Sequence, residues 1–408
     1  MILDEAPTTG AAAAPALPSP PTGMGGVPSG EGPPAPSSAG PHVYPVHFGG
    51  QGGEYFKIWI VNLLLTLATL GLYHPWAKVR KLRYFANHTY VDGHSLAFHG
   101  DPLRILRGTL LFGALIVAVN VAEWVSTLAY AVAVGLLWLI FPMLWRASMR
   151  FRLANTSWRG LRMRFTGSVG GAYMPFAVMY LWALAAGVLF GLSASDMAHQ
   201  DITNKAVAAQ LALAFLGLSI LLWPALEYLI KRYQHNHYQL GQWQTQLQTG
   251  PWGFYKVYLK LMGLMLILMV VSMVPFVGSS VRVAAAIFGG LLPIFMIFMV
   301  QLCIRPYLAI RMQNLVWGHT GHPQVQFRSR LRLRDYLPDY LVYGLLTLIT
   351  MGLYWPVAQI ALTKLRLQAI TIESQVPLSS AVAQWLAHPE RDATGDAAGD
   401  LLGFDISL

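Results

Sequence analysis

Eight long apolar segments constrain this chain more than any other feature of its sequence. Hydrophobic residues make up 55% of the 408 residues and charged residues only 11%, whereas about a quarter of the residues in soluble proteins are charged. The apolar residues gather in runs close to the ~20 residues that a helix needs to cross a hydrocarbon layer of about 30 Å. The sequence therefore predicts a polytopic, all-α membrane protein. The segments run near residues 56–73, 105–119, 125–145, 172–192, 207–230, 254–274, 283–303 and 336–354.

The loops between these segments differ sharply in charge. Four of them hold 22 of the 28 Lys and Arg residues, and the three intervening loops hold only Lys205 and Arg282. By the positive-inside rule the rich loops are cytoplasmic, which predicts a multi-pass protein of a bacterial inner membrane. A net charge of +10 would also suit nucleic acid, but the charge lies in short loops and not in a separate basic domain. We therefore expect anionic lipid headgroups at the cytoplasmic face as partners, and no nucleic acid.

The composition predicts three regions along the chain. Residues 1–42 are rich in Pro, Ala and Gly and are expected to be a disordered tail without a signal sequence. Residues 43–370 hold the repeated membrane domain, and residues 371–408 are expected to be a flexible C-terminal tail. Cys303 is the only cysteine, so the chain predicts neither an internal disulfide nor a zinc site built on thiolates.

One motif occurs twice with a constant offset of 281 residues and without a gap. Residues 64–77 and 345–358 share the pattern Thr-Leu-x-Thr-x-Gly-Leu-Tyr-x-Pro-x-Ala, and such self-similarity is typical of internally repeated folds. The motif supplies most of the candidate functional or structural residues. They are Asn62, Gly71, Tyr73, Pro75 and Trp76 in the first copy, and Gly352, Tyr354 and Pro356 in the second.

A second pattern marks the basic loops, where an Asn is followed by a Gly and a short apolar run. The Asn residues are Asn87, Asn155, Asn236 and Asn314. Asp92-Gly93 between two such runs is typical of a β-hairpin, because Asp-Gly accepts the positive φ of a tight reversing turn. We therefore predict short β-hairpins in the cytoplasmic loops, several of them paired into one layer, and add Asn87, Asp92 and Gly93 to the candidate residues.

The first and last apolar segments allow two interpretations. Counted strictly, all eight segments span the membrane. A strand at Phe48 paired with the cytoplasmic hairpins would instead put both ends of segment 56–73 on one side. That segment and its twin would then be helical hairpins that turn back at Gly-Leu-Tyr-x-Pro, a natural helix break, and we favour this alternative with a cytoplasmic N-terminus.

These motifs resemble the YjgN family of bacterial inner-membrane proteins, a domain of unknown function. The resemblance is dense over residues 46–108 and looser to about residue 370. It implies a multi-pass membrane protein of a Gram-negative cell and supplies no catalytic residues. The residues that carry it are Phe48, Gly50, Gly52, Tyr55, 62–67, 69–73, Pro75, Trp76, Ala77, Arg80, Arg83, Tyr84, Asn87, Thr89, Asp92, Gly93, Phe98 and Gly100.

Motifs for chemistry are sparse. The sequence has no P-loop, no paired carboxylates and no Ser-His-Asp arrangement that rises above background, so we assign no catalytic, cofactor-binding or metal-binding residues. Glu227 is the carboxylate within the spans that we single out, with Lys231 one turn on as a partner. Histidines recur in the basic loops and could gather a metal only if those loops converge; they are His88, His94, His99, His235, His237, His319 and His322.

Three functions fit these observations. The first is a transporter or channel for a neutral or lipidic substrate, because repeated helical units with Pro and Gly breaks form the sites of many carriers. The second is a non-transporting module whose basic cytoplasmic layer binds anionic lipid or a protein partner. The third is a lipid-modifying enzyme, although the sequence favours a protein without catalytic activity.

Overall fold

The fold consists of helical hairpins that lead directly into short strands. The computed structural model describes residues 40–197, 202–273 and 300–387. The helices are α1 (Gly52–Ala68), α2 (His74–Asn87), α3 (Pro102–Val125), α4 (Thr127–Ala154), α5 (Val169–Met197), α6 (Ile202–His235), α7 (Pro251–Met273), α8 (Arg305–Trp317), α9 (Leu333–Ile349), α10 (Trp355–Gln368) and α11 (Leu378–Ala387). The strands are β1 (His42–Phe48), β2 (Thr89–Val91), β3 (His94–Phe98), β4 (Thr156–Trp158), β5 (Leu161–Phe165), β6 (Tyr238–Leu240), β7 (Trp243–Gln244), β8 (Gln246–Leu247), β9 (Thr320–His322), β10 (Val325–Ser329) and β11 (Ile370–Ser374).

Helices α1 to α10 form a helix ring in the order in which they follow one another along the chain. The hairpins pair α1 with α2, α3 with α4, α5 with α6 and α9 with α10. Between hairpins, α2 packs on α3, α4 on α5, α6 on α7, α7 on α8 and α8 on α9. The ring closes where α10 packs against α1. Because this packing returns to its starting helix, the helices form a wall around a central axis.

The eleven strands form one antiparallel sheet that nearly closes on itself. Its order is β7-β6-β5-β4-β3-β2-β1-β11-β10-β9-β8. The edge strands β7 and β8 are two halves of one segment, separated only by Thr245. The Thr245 N–H donates to the Tyr238 carbonyl (2.8 Å), so the covalent chain joins the two edges. We call this sheet the strand ring.

The first strand closes the strand ring across the two ends of the fold. Residues 42–45 of β1 pair with β11, and residues 46–48 pair with β2. We call each helical hairpin, with the strands that follow it, a unit. Elsewhere in the strand ring, the β-hairpin of one unit, such as β2–β3, pairs through its second strand with the β-hairpin of the next unit. The N-terminal strand therefore takes the place of a second hairpin strand beside β11.

All described strands lie at one end of the helix ring. Strands β2, β4, β6, β9 and β11 each begin two or three residues after α2, α4, α6, α8 and α10 end. The described hairpin tips, at residues 69–73, 126 and 350–354, therefore lie at the opposite end. The expected short hairpins are present, but the all-α description is too narrow, because they form a single sheet of eleven strands.

The strand ring has an apolar inner face and a polar outer face. Along β1, Val46 and Phe48 are buried while Val43 and His47 are exposed, as the two-residue period of a strand requires. Val46 packs with inward residues of β10 and β11 in one core cluster. The inside of the strand ring is therefore filled by side chains.

Close packing explains the Phe-x-Gly ending of the strands. Phe48 and Phe98 are 1% and 5% exposed, and each ring lies over the glycine two residues later. A Cβ at Gly50 or Gly100 would approach that ring to 2.7 or 2.5 Å, which is closer than atoms pack. Glycine therefore lets the chain leave the strand beside its own phenylalanine and enter the next helix.

The two copies of the repeated motif, 281 residues apart, fold into helical hairpins of matching length. Helices α1 and α9 have 17 residues each, and α2 and α10 have 14 each. The tips match as well: Gly71 and Gly352 have φ of +93° and +95°. Each glycine N–H donates to a threonine carbonyl five residues earlier at 2.7 Å, from Thr66 and Thr347.

Replacing Gly71 with Ala should destabilise the first hairpin, because a Cβ in the left-handed region costs about 1–2 kcal/mol. We expect Gly352→Ala to have the same effect, measured as a lower unfolding midpoint of the purified protein in detergent. Gly113→Ala is the control, because a Cβ there meets no atom within 4 Å and a mid-helix alanine is favoured by about 0.5–1 kcal/mol. Equal midpoints for all three variants would contradict this account of the tips.

The apolar segments that the structure describes correspond to helices, but the count of eight spans is not confirmed. Four described helical segments are long and apolar enough to cross a membrane: Pro102–Val125, Thr127–Ala154, Val169–Val188 and Gln210–His235. The first and last predicted segments instead form α1 and α9, each about 26 Å long at 1.5 Å per residue. Both turn back at their tips, as the hairpin alternative predicts. Most of the seventh segment, residues 283–299, lies outside the described residues.

The C-terminal region differs from the expected flexible tail. Residues 370–374 form β11 within the strand ring, and residues 378–387 form α11. Leu378 and Val382 of α11 are 4% and 3% exposed, because the inner face of the strand ring covers them. Residues 388–408 and residues 1–39 of the expected N-terminal tail lie outside the described residues.

Candidate functional site

Asn62 and the motif prolines hold the hairpins together. Asn62 is buried on α1, and its Oδ1 accepts a hydrogen bond from Nη1 of Arg80 on α2 (3.3 Å). Pro75 and Pro356 are fully buried in the first turns of α2 and α10, where a missing N–H costs no helical hydrogen bond. These positions explain the motif as hairpin structure.

The motif tyrosines begin the returning helices. The backbone N–H groups of Tyr73 and Tyr354 donate to threonine hydroxyls four residues earlier, at 2.9 and 3.0 Å. The Tyr73 ring stacks on Trp76 with 6.0 Å between ring centroids, while Tyr354 stacks on Tyr343 at 6.1 Å. The aromatic partner therefore differs between the copies, although the backbone is the same.

Asn87, Asp92 and Gly93 lie at the strand ring. Asn87 ends α2, and Asp92-Gly93 turns the β2–β3 hairpin with φ of +50° and +70°, which confirms the predicted tight turn. Oδ2 of Asp92 accepts from Nη1 of Arg159 in the β4–β5 turn at 3.1 Å. An ion pair with this exposure contributes only about 0.2–1 kcal/mol to stability. Its main effect is therefore on the relative orientation of the two neighbouring β-hairpins that it joins.

Three of the seven loop histidines cap helices. Nδ1 of His88, His237 and His319 each donates to the carbonyl four residues earlier, at 2.8, 2.7 and 2.8 Å. They lie at the ends of three different helices, where side-chain donors can bond the last carbonyls. Within the described residues, no three His, Cys, Asp or Glu side chains are grouped closely enough to hold a metal ion.

Glu227 connects two neighbouring helices. The hydroxyl of Tyr258 on α7 donates to Oε2 of Glu227 on α6. The same hydroxyl accepts from Nε1 of Trp223 at 3.0 Å. The carboxylate also attracts Lys231 one turn further along α6, so it lies next to a group of cations that the sequence did not single out.

One position is equivalent in all five units, four residues before the first strand residue after each hairpin. It lies where the helix ring meets the strand ring, and two of its occupants are cations. The occupants are Phe85, Arg152, Gln234, Val316 and Arg366. With Lys231, which lies a further turn up α6, Arg152 and Arg366 form what we call the axial cluster.

Contacts between units that are not neighbours in the ring place the axial cluster at the centre. Arg152 on α4 lines a pocket with Phe85 of α2 and Leu367 of α10. Lys231 on α6 is close enough to Arg366 on α10 for their charges to repel. Helices α4 and α6 are not ring neighbours of α10, so these side chains meet across the axis.

Gln313 holds Arg366 in place. Nε of Arg366 donates to Oε1 of Gln313 (2.8 Å), and Nε2 of Gln313 donates back to the Arg366 carbonyl (2.7 Å). Gln313 is 5% exposed, whereas the Arg366 side chain is exposed. The buried amide thus fixes a guanidinium that remains accessible.

Neutral side chains surround the axial cluster. Burial raises the pKa of Tyr238 to about 12, although the nearby charge of Arg152 opposes the rise, so this phenol is neutral at pH 7. His235 is 4% exposed, and its Nδ1 lies 3.0 Å from the Thr320 hydroxyl. That hydroxyl donates to the Val316 carbonyl (2.6 Å) and so accepts from His235.

The pocket beside Arg152 is mostly apolar. Its volume is about 230 Å³, and its walls are Leu82, Phe85, Ala86, Thr89, Phe98, Arg152, Thr156 and Leu367. One charged side chain among apolar walls suits an amphiphile better than a small hydrated ion.

Helix α11 covers the strand ring from inside. Its buried residues Leu378 and Val382 join Trp158 in a core cluster with inward residues of seven consecutive strands, β1 to β7. Trp385 meets Trp243 edge to face with 4.6 Å between ring centroids. The Leu378 N–H donates to the hydroxyl of Tyr44 (3.3 Å). Helix α11 therefore plugs the strand ring.

The candidates chosen from the sequence do not form one site. They lie at two hairpins, at a strand turn and on α6, whereas the axial cluster combines α4, α6 and α10. Alignment of the units on their first strand residue would have placed Arg152 and Arg366 at equivalent positions. The signal for this alignment is the threonine that begins three of these strands: Thr89, Thr156 and Thr320. In the structure the hydroxyl of each donates to the carbonyl four residues earlier.

Comparison with known proteins identifies the family. The Salmonella typhimurium (strain LT2) inner membrane protein YjgN is 22% identical over 393 residues, which cover 86% of this chain and 96% of that protein. YjgN of Escherichia coli O157:H7 is 27% identical over 179 residues, which cover 42% of this chain and 43% of that protein. No solved structure matches the chain. The resemblance seen in the sequence is thus confirmed, and since a family model described as bacterial protein of unknown function (DUF898) matches residues 43–401, this membrane protein belongs to that family.

Proposed function

We propose that the protein is an inner-membrane conduit or carrier for a lipidic substrate, with the path along the axis of the helix ring. The observation that carries this proposal is a closed ring of single helices whose longest apolar stretches are little buried. In the four long apolar helices, 6–17% of the most hydrophobic stretch is buried, so most of this apolar surface is covered by no other described part of the chain. A water-filled path would present polar groups to the axis, whereas an apolar wall favours acyl chains.

The unit architecture supports movement of a substrate along the axis. Repeated helical hairpins around one axis, two of them with matching tips, resemble the internal repeats from which many carriers are built. The strand ring and α11 close one end of that axis, and we propose that this is the closed state. Opening then requires α11 to leave the strand ring.

The strand ring is proposed to be cytoplasmic. Most cations of the four Lys- and Arg-rich loops lie toward that end, on the strands, on the last turns of α4 and α6 and on the first two turns of α3, α7 and α9, which is the orientation that positive-inside charge favours. A cysteine near residue 30 should then be shielded from an impermeant maleimide added outside spheroplasts. Ser126→Cys at the α3–α4 tip should be labelled, in both cases in a Cys303→Ser background. The reverse pattern would contradict the orientation.

Lipid transfer in proteoliposomes tests the function. Vesicles that contain a fluorescent phospholipid and a trapped soluble dye receive an impermeant quencher. We expect the protein to make inner-leaflet lipid accessible to the quencher while the soluble dye stays inside. With heat-inactivated protein, the inner-leaflet lipid should stay protected and the dye should again stay inside. Dye release would overturn a lipidic path in favour of an aqueous one.

A specific observation also favours a second candidate, the lipid-binding module. Arg162 and Arg164 on β5 are exposed on the outer face of the strand ring, where each cation near an anionic membrane surface gains about 1 kcal/mol. Tight binding to anionic vesicles without any lipid transfer would support this candidate against the conduit.

A further inference from the structure

We propose that the axial cluster of Arg152, Lys231 and Arg366 binds the phosphate headgroup of an anionic phospholipid whose acyl chains lie along the apolar wall of the helix ring. This inference rests on the proposed function, since it places a lipid inside the helix ring. It names the part of the path that would recognise the headgroup.

Three cations from three helices converge where the helix wall ends. Arg152 lines a pocket with Leu367, the residue after Arg366, and it is at the position equivalent to Arg366. Lys231 lies within range of the Arg366 charge. Positive charges brought together beside an apolar wall attract an anionic group. Glu227 lies one turn above Lys231 and is hydrogen-bonded by Tyr258, so it serves the α6–α7 contact as well.

The shapes of these groups favour phosphate. A guanidinium presents a fork of N–H donors that matches two phosphate oxygens, and an ammonium adds a point charge. Gln313 fixes Arg366 through Nε, which leaves the terminal Nη groups as the fork. Gln313 is therefore a positioning residue for this site.

The surroundings favour a lipid over free phosphate. The 230 Å³ pocket beside Arg152 is walled mainly by apolar side chains, with the hydroxyls of Thr89 and Thr156 among them. Such a wall suits the glycerol and first methylenes of a lipid better than a hydrated ion. Above it, the helix wall is apolar. A headgroup at the axial cluster with chains directed toward the hairpin tips satisfies both regions.

The test uses full-length protein in mild detergent and measures the rise in thermal midpoint and the lipid retained in native mass spectra. The probes are phosphatidylglycerol, phosphatidylethanolamine and inorganic phosphate. The inner variant carries Arg152→Gln, Lys231→Gln and Arg366→Gln. The matched outer variant carries Arg330→Gln, Arg332→Gln and Lys364→Gln, which remove the same charge from exposed positions.

We expect wild type and the outer variant to retain phosphatidylglycerol in preference to phosphatidylethanolamine. The inner variant should bind it at least tenfold more weakly, since each cation contributes about fivefold, equivalent to about 1 kcal/mol. Gln313→Ala should weaken binding less than Arg366→Gln. If the inner variant does not fold, the site is judged from the lipid preference of wild type and from phosphatidylglycerol binding by the single variants Arg366→Gln and Arg366→Lys.

Equal binding by the inner variant and wild type would overturn the site. If inorganic phosphate stabilises the protein as much as phosphatidylglycerol does, the site binds free phosphate and the lipid headgroup is overturned as its ligand. Failure of the proposed function gives a different result. If wild type binds phosphatidylglycerol through these cations but transfers no lipid, the binding site is supported and the conduit is overturned. If it transfers lipid without this binding, the conduit is supported and the binding site is overturned.

Discussion

Replacing Val46 with Asp should unfold the strand ring, and we expect the free energy of unfolding to fall by about 3–5 kcal/mol, the cost of an uncompensated buried charge. Val46 is 7% exposed and packs with Val325, Ile370 and Ile372 inside the ring. It is also the residue at which β1 changes its pairing from β11 to β2. A charge there disrupts the closure between the two ends of the fold.

The neighbouring Val43→Asp variant is the matched control. Val43 is on the same strand but faces outward and is 58% exposed, so its replacement should change stability by no more than about 0.5 kcal/mol. Tryptophan fluorescence during denaturant unfolding in detergent measures both variants. Equal stability of Val46→Asp and wild type would show that β1 does not close the ring.

Replacing Val382 with Asp should release α11 from the strand ring. Val382 is 3% exposed, and a carboxylate among the apolar side chains there should cost roughly 3 kcal/mol or more. That corresponds to an increase of about 100-fold in the open population. Because the closed state of the proposed conduit depends on this helix, lipid transfer should rise with it.

Cysteine labelling measures the release directly. Leu240 faces into the strand ring and packs in the same cluster as α11. The Leu240→Cys variant is made in a Cys303→Ser background, and the rate at which maleimide labels it is compared with and without Val382→Asp. Ala383→Asp is the matched control, because Ala383 is the next residue of the same helix and is exposed. A slow, unchanged rate in the Val382 variant, with the fold intact, would contradict the plug.

The candidate site shows where sequence analysis reached its limit. Gly71 and Pro75 were identifiable because a positive φ and a helix break have local residue preferences. Arg152 was counted among loop charges and Arg366 was not singled out, because nothing local distinguishes an arginine that faces the axis from one that faces water. Their convergence depends on α4 and α10 belonging to one closed ring.

By itself the sequence determined the apolar helices, the tight turn at Asp92-Gly93 and the matching hairpins 281 residues apart, because hydrophobic length and turn chemistry act over neighbouring residues. Tertiary structure alone decided that β1 pairs with β11, that α11 fills the strand ring, and that three cations meet on the axis. The first two outcomes join residues more than 300 positions apart, as Tyr44 and Leu378 do, and the third joins helices of three separate units. Such contacts form only when the units close into a ring, which buries apolar faces that no unit can bury alone.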